Sequence, residues 1–286
     1  MTFAVLPNMT REDAPAITRE ILNKLQSLGA ECILPCGTEG VFDAPGIKIL
    51  PMEQAIEQCR AVIAVGGDAT IIHAAKRAAA CGKPVLGVNA GRLAFMAGLE
   101  GHESDLLCRL MTGEYTVDRR LMLKAMVMRG DEVVSCDYCV NDAYITGSKG
   151  TRMESIEVAL GERLINSYLA DGILVATPTG STAYSLSAGG SVVDPELESI
   201  LLTPVCSHSL FDRPLVLRPN AVLTVTSAEG NPLWVSLDGQ AEMEIEPGCR
   251  AVISQAEYKA EFIRIKSDNF IDILGKKLAQ RKDSRK

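Results

Sequence analysis

The sequence predicts an α/β N-terminal domain with a parallel, Rossmann-like sheet, followed by a β-rich C-terminal domain. Three observations carry this expectation. Through the first third of the chain, apolar runs of strand length alternate with segments of helical period. From about Tyr115 onward, short alternating runs succeed one another across tight turns. At 286 residues, 47% hydrophobic and 23% charged, the chain has the balance of a globular protein and room for two domains of about 150 residues each. The first domain is expected over residues 1–114 and the second over 115–267.

Taken in order, Phe3 to Leu6 reads as a strand. Thr10 and Asp13 stand at capping-box spacing before Ile17, Ile21, Leu22, Leu25 and Leu28, which recur at helical period up to Gly29. Cys32 to Leu34 is the next strand and Glu53 to Gln58 a short helix. Ala61 to Val65 is a buried strand ended by Gly66-Gly67. Thr70 to Ala80 is a helix stopped by Gly82, Pro84 to Val88 a strand, and Leu106, Leu107 and Leu110 mark a further helix. In the second domain, Leu121 to Met128 turns at Gly130-Asp131 into a strand from Val133. Ile156 to Leu160 turns at Gly161-Glu162 into Leu164 to Tyr168. Later strands are read at Leu215 to Leu217, Val222 to Thr226, Trp234 to Leu237, Met243 to Ile245, Ala251 to Ser254 and Glu261 to Ile265. Asn269 to Lys282 reads as a helix with Phe270, Ile273, Leu274 and Leu278 on one side, packed on one of the two domains.

Charge narrows the function classes. Lys and Arg number 29 against 36 Asp and Glu, a net charge of −7, which argues against nucleic acid or a membrane surface as partner. No apolar run reaches the length of a membrane span. The segment Met1 to Asp13 lacks the basic and apolar regions of a signal peptide, so a cytoplasmic address is expected. The nine cysteines are an odd number without a framework, as in reduced thiols. Cys32 with Cys36, and Cys136 with Cys139, could suggest zinc. No His pair accompanies them, and an offset of three places Cys136 and Cys139 on opposite faces of a strand.

Three segments carry chemistry. Gly66-Gly67-Asp68-Ala69-Thr70 follows a buried strand and opens a helix, where glycines let backbone N–H groups approach a phosphate. Asp68 among phosphates would hold Mg²⁺ or take a proton from a hydroxyl; alternatively it caps the helix. Asp171 to Gly190 reads as strand, Pro178-Thr179-Gly180-Ser181 turn, short helix and double-Gly stop. Its crowd of small hydroxyl residues suits a sugar, an adenine edge or phosphate oxygens. Asn141-Asp142, an amide beside a carboxylate, can grip a ribose diol or an adenine edge, or be a surface turn. His73 falls on a helix and reads as packing or surface. His208, leading into Arg213 to Leu217, either lines a site or lies in a loop. P-loop, G-x-G-x-x-G, G-x-S-x-G and H-E-x-x-H patterns are absent from the sequence.

Together these segments resemble the NAD kinase family, from about Ala61 to Gln240 and in the family's order. Gly66 to Thr70 is similar to its Gly-Gly-Asp-Gly-Thr motif, and Asn89 to Phe95 to its Asn-x-Gly-x-Leu-Gly-Phe stretch. Asn141-Asp142 resembles its Asn-Glu/Asp pair, and Asp171 to Gly190 its long Thr-Pro-Thr-Gly-Ser-Thr-Ala-Tyr signature. His208 to Leu217 and Asp238-Gly239-Gln240 resemble its later segments. Gly-Gly-Asp alone is shared with lipid kinases and phosphofructokinases; the long signature is specific.

The resemblance implies transfer of the γ-phosphoryl group of ATP, or of polyphosphate, to the adenosine-ribose 2′-hydroxyl of NAD, with Mg²⁺ or another divalent cation. It implies a homodimer or homotetramer, and a C-terminal segment, 268–286, that returns to the first domain. Asp68 would orient and deprotonate the hydroxyl, or help hold a metal brought in with the nucleotide, without a fixed protein cage. Gly66, Gly67 and Ala69 would face the phosphates, and Asn141 and Asp142 the adenosine. Thr179, Ser181, Thr182, Ala183 and Tyr184 would surround the dinucleotide, Asp171 and Ser187 would contact its nicotinamide side, and His208 would complete the pocket. Ala69 and Ala94 replace family glycines, Ser191 stands where Pro is common, and Leu169 lies near a frequent Arg. The dinucleotide side thus keeps more of the pattern than the donor side. A catalytically weak NAD(P)-binding sensor and another small-molecule or lipid kinase are the alternatives.

Overall fold

The computed structural model describes residues 1–42, 45–91, 94–147, 153–209, 212–267 and 270–275. The chain forms two compact units, one made of Met1–Arg119 with the segment from Ala260 on, the other of Arg120–Lys259.

The first unit begins with β1 (Thr2–Pro7), α1 (Ala14–Ser27), β2 (Glu31–Pro35), β3 (Ile47–Leu50) and α2 (Met52–Gln58). It continues with β4 (Ala61–Gly66), α3 (Asp68–Ala80), β5 (Val85–Asn89), the two-residue β6 (Leu99–Glu100), a 3₁₀ turn over Ser104–Leu107, α4 (Cys108–Thr112) and β7 (Thr116–Arg120). α1 buries Ile21, Leu22 and Leu25, and the chain leaves it through Gly29 at φ +77°, a conformation glycine adopts without strain. The expected capping box does not form. Asp13 is the N-cap but makes no side-chain capping bond, because Asn8 Oδ1 accepts from both the N–H and the hydroxyl of Thr10. The local Asx turn satisfies Thr10, and Pro15 in the first turn presets the helical φ.

The second unit contains β8 (Leu123–Arg129), β9 (Glu132–Cys139), β10 (Asp142–Thr146), β11 (Glu154–Leu160), β12 (Arg163–Ala170) and β13 (Gly172–Ala176). A 3₁₀ turn (Thr179–Thr182) and α5 (Tyr184–Ser187) follow. Then come β14 (Ile200–Val205), β15 (Leu215–Leu217), β16 (Leu223–Ser227), β17 (Leu233–Leu237), β18 (Ala241–Ile245) and β19 (Cys249–Gln255). They form two six-stranded sheets, ordered β15-β14-β13-β10-β17-β18 and β12-β11-β16-β19-β8-β9, antiparallel at every pairing described. One core fills the unit, drawing Ala143, Ile145, Ile173, Val175 and Val235 from the first sheet and Leu123, Val127, Ile156, Val225 and Ile253 from the second. Inward residues alternate along each strand, as a two-sheet packing requires. The last strand, β20 (Ala260–Arg264), lies beside β5 in the sheet of the first unit, with Phe262 paired in parallel to Val85. The run Glu261 to Ile265, grouped by sequence with the β-rich region, therefore belongs to the other sheet. Alternation marks a strand but not its partner.

The sheet of the first unit runs β3-β2-β1-β4-β5-β20-β7, with β6 on β5. From β1 the chain winds outward to β2 and β3, then crosses back to β4 and goes on to β5. The strand order thus reverses between β1 and β4, whose parallel pairing runs from Phe3–Ala61 to Pro7–Val65. The carboxyl ends of such a strand pair open into the crevice where α/β sheets bind ligands. α3 covers β4 and β5 with a face of small residues. Gly87 on β5 is needed there, since a Cβ on it would meet Ile71 Cδ1 at 2.6 Å. β3, the two-residue β6, β7, β10 and β14 escape the sequence reading. Residues 270–275 are helical; the rest of the expected C-terminal helix lies outside the described residues.

Candidate active site

Each unit carries one group of candidate residues. In the first, β4 is buried along its whole length and ends at Gly66. Gly67 is the N-cap of α3, and the helix starts at Asp68, two residues before the expected Thr70. Asp68 thus sits in the first turn, where the partial positive charge of the helix end favours a carboxylate. Its Oδ1 accepts from the Met96 N–H at 2.8 Å, which holds the side chain in place. Gly66 must lack a side chain, because a Cβ there would lie 2.5 Å from Thr70 Oγ1; that hydroxyl accepts from Asn8 Nδ2 at 2.9 Å. Ala69 is the second residue of α3, with its methyl exposed, and its φ is not positive. The Cβ that replaces the family glycine therefore strains nothing.

Two residues at this corner escape the sequence reading: Asn8 and Arg11, which follow β1 directly. The guanidinium of Arg11 lies over Gly67 and Gly91 and donates to Ala90 O at 3.5 Å. The signal that finds them is topological: they leave the carboxyl end of the strand beside β4. Asn89, which closes β5, donates to Glu100 Oε2 at 2.7 Å and to Gly91 O at 3.3 Å. Its Oδ1 is buried without a partner among the described residues. Arg92 and Leu93 lie outside the described residues. His73 is half-buried on α3 and accepts from Arg77 Nε at 3.1 Å.

In the second unit, three stretches distant in sequence become one cluster. Asp142 opens β10, opposite Ala176 at the end of β13. It is 6% exposed, so the surface-turn alternative for Asn141-Asp142 is excluded at Asp142. The Thr177 N–H donates to Asn141 O at 2.8 Å, its hydroxyl to Val140 O at 2.6 Å, and the Gly180 N–H donates back to the Thr177 hydroxyl at 3.0 Å. Gly180 packs directly on Asn141; a Cβ on it would come within 2.1 Å of Asn141 O. Asp238, at φ +50°, turns its carboxylate onto the same segment and accepts from the N–H groups of Val140, Asn141 and Asp142 at 2.9, 2.7 and 3.2 Å. Burial, and then the nearby Asp238 charge, push the Asp142 carboxyl up to about 7.

Thr179 and Ser181 are buried. Thr179 Oγ1 accepts from Arg120 Nη1 at 3.4 Å, and Ser181 Oγ ties the turn to the backbone of Val193 in both directions. Thr182 and Ala183 are half-buried, Tyr184, Ser187 and His208 exposed. The Tyr184 ring meets Tyr144 edge-on at 5.2 Å, and the Tyr144 hydroxyl donates to Asp171 O at 3.3 Å. Tyr144 is also missed by sequence, although its period-two spacing from Asp142 places both on the face of β10 turned away from Ala143 and Ile145. The backbone N–H of His208 donates to Leu169 O at 2.8 Å, and Leu169 itself is 45% exposed.

The cysteines of each pair diverge: Cys32 and Cys139 are buried, Cys36 and Cys136 exposed. Among the described residues, no group of three or more His, Cys, Asp or Glu side chains is placed to hold a metal. No described helix is long and apolar enough to cross a membrane.

Residues 50–115 match the family model of the ATP-NAD kinase N-terminal domain, and residues 140–265 that of the ATP-NAD kinase C-terminal domain. The NAD kinase of Desulforamulus reducens is 33% identical over 98% of this chain and 97% of its own length. Among solved structures, yeast NADH kinase complexed with NADH superposes with a TM-score of 0.90 at 21% identity, covering 98% of this chain and 87% of that one. An NAD kinase from Archaeoglobus fulgidus in complex with ATP gives 0.74 at 22% identity, covering 96% and 98%. At these identities the two structures speak for the fold. A full-length relative at one-third identity, and family models matched by both the Asp68 and the Asp142 regions, place this chain in the NAD kinase family.

Proposed function

We propose that this chain transfers the γ-phosphoryl group of ATP to the adenosine-ribose 2′-hydroxyl of NAD, forming NADP and ADP. NAD kinase activity, a phosphotransferase reaction, comes with family membership; the donor, the roles of the residues and the metal are our reading. The observation that carries it is Asp68, a carboxylate held by the Met96 N–H at the head of α3 behind two glycines.

Asp68 accepts the proton of the 2′-hydroxyl as its oxygen bonds to the γ-phosphorus and the bond to the ADP oxygen breaks. In phosphoryl transfer, positioning and charge neutralisation dominate, so one well-placed carboxylate meets the chemical need. Gly66 and Gly67 let phosphate oxygens reach the backbone N–H groups at the start of α3. Asn141 and Asp142 engage the adenosine, held rigid by Asp238 and the Thr177–Gly180 turn. Thr179, Ser181, Thr182, Ala183 and Tyr184 surround the dinucleotide, Asp171 and Ser187 take its nicotinamide side, and His208 closes the pocket.

Asp68, beside nucleotide phosphates, would help hold Mg²⁺ or another divalent cation that arrives with the nucleotide. When bound, the cation neutralises phosphate charge. ATP is the nucleotide in the complex of the Archaeoglobus fulgidus NAD kinase and the donor in our reading; polyphosphate is the alternative. A homodimer or homotetramer is expected, which light scattering of the purified chain decides.

The sensor alternative rested on Ala69 and Leu169; Ala69 has no positive φ to strain it, and whether its methyl obstructs a phosphate is what Ala69→Gly decides. The test is NADP formation from NAD and Mg²⁺ with ATP or polyphosphate, run beside Asp68→Asn. NADP from the parent chain and almost none from the variant supports the reading. Equal turnover by both removes Asp68 from the chemistry. NAD binding by the parent without turnover leaves the sensor.

A further inference from the structure

Arg11 stands at the end of the loop that leaves β1, beside the reversal of strand order. Its guanidinium is seated between two bare glycines from neighbouring strand ends. A Cβ on Gly67 would lie 2.9 Å from Nη2, and one on Gly91 would lie 2.5 Å from Nη1. The two glycines together leave the notch into which the planar fork fits. Yet the fork is underused: among the described residues its hydrogen bond is the long one to Ala90 O at 3.5 Å, against five N–H donors available. The side chain is exposed, and none of the ion pairs described includes it.

A second observation at the same corner concerns Asn89. Its amide is oriented by donation to Glu100 Oε2 at 2.7 Å, so the carbonyl oxygen is the atom left over. That Oδ1 belongs to a residue 3% exposed and has no donor among the described residues. Buried acceptors are normally paired, so this oxygen calls for a donor such as a water in a ligand's hydration shell; a phosphate oxygen cannot itself supply one. A pre-seated guanidinium with one long hydrogen bond, the N-terminus of the thirteen-residue α3 and a buried acceptor without a donor among the described residues thus meet at one strand-end corner.

We propose that Arg11 grips the phosphate chain of the phosphoryl donor. This rests on the kinase reading of the site and adds a residue to it. A guanidinium matches two phosphate oxygens at once. Held at the mouth of β4 and β5, it draws the chain toward the N–H groups at the start of α3 and neutralises charge as the bond to the leaving group breaks.

The test uses the full-length protein with Arg11→Gln and Arg11→Lys. NADP formation is followed while the donor, ATP or polyphosphate, is varied at saturating NAD, and then while NAD is varied at saturating donor. Arg11→Gln should raise the donor KM or lower kcat by about 10- to 100-fold, as losing a charge-assisted hydrogen-bond pair does, and leave the KM for NAD unchanged. Arg11→Lys, which keeps the charge but loses the fork, should fall between. In parallel, inorganic tripolyphosphate is titrated calorimetrically. It should bind the parent in a salt-sensitive way and bind Arg11→Gln at least tenfold more weakly. Parental donor kinetics and parental tripolyphosphate affinity in Arg11→Gln would overturn the proposal. If the parent makes no NADP, the kinase reading fails on its own, and the tripolyphosphate titration still decides the role of Arg11.

Discussion

Replacing Asp142 by Asn should stabilise the protein, and more so as pH rises. Asp142 is 6% exposed and lies beside Asp238, whose carboxylate is fixed by three backbone N–H groups. Burial, then Asp238, raise its carboxyl from 3.8 to about 7. The folded chain therefore holds a proton that the unfolded chain gives up near pH 4. A raised value means that this group costs nothing below about pH 4 and that stability is lost progressively up to about pH 7. At about 1.4 kcal/mol per pH unit, the cost is about 2 kcal/mol at pH 5 and levels off at about 4 kcal/mol above pH 7. Asparagine has the same shape and never ionises. The gain in unfolding free energy from Asp142→Asn should therefore grow by about 2–3 kcal/mol between pH 5 and pH 8. Urea unfolding can be followed through Trp234, the single tryptophan, which pairs with Thr146 at the far end of β10 and so reports this unit. A difference between variant and parent that is constant with pH, or that shrinks on the alkaline side, refutes the reasoning.

Three further outcomes are expected. Asp68→Asn should cost about 10²–10⁴-fold in kcat with the melting temperature and NAD affinity kept, since an amide oxygen still accepts from the Met96 N–H; steady-state kinetics and thermal shift with NAD check both. Gly180→Ala drives a Cβ to 2.1 Å from Asn141 O and 2.6 Å from Asn141 C, atoms that cannot step aside without moving the backbone. It should destabilise by about 1–3 kcal/mol in denaturant and raise the KM for NAD; unchanged values in both would show that the turn and β10 slide apart at no cost. Ala69→Gly has no strain to relieve, so kcat should stay at the parental value while stability falls by about 0.5–1 kcal/mol for a glycine within a helix; a clear rise in kcat would show that the methyl obstructs the donor.

Much of the candidate site was legible because its residues are contiguous. Gly66-Gly67-Asp68 and Asp171 to Gly190 each lie on one strand-turn-helix connection, and local chemistry makes a turn recognisable: glycine for close approach, small hydroxyls for hydrogen bonding. Alternation likewise revealed most strands of the second unit, because a sheet buried on one face imposes period two on its own sequence. β14, buried at every residue with a proline inside it, and β3, only four residues long, were harder to read.

What the sequence by itself determined is the order of elements, the two-part organisation and the motifs that named the family. Tertiary structure alone decided which distant residues share a site. Arg11 reaches Gly67 and Gly91 because parallel pairing brings the ends of β1, β4 and β5 into line. Asp238 reaches Asn141 because β17 pairs with β10 across roughly a hundred residues of chain, and that same contact sets the unusual proton affinity of Asp142. β20 joins the first sheet for the same reason. Local sequence encodes how a strand alternates and how a turn closes, whereas register and neighbour are settled only when the buried faces of the whole sheet are matched together.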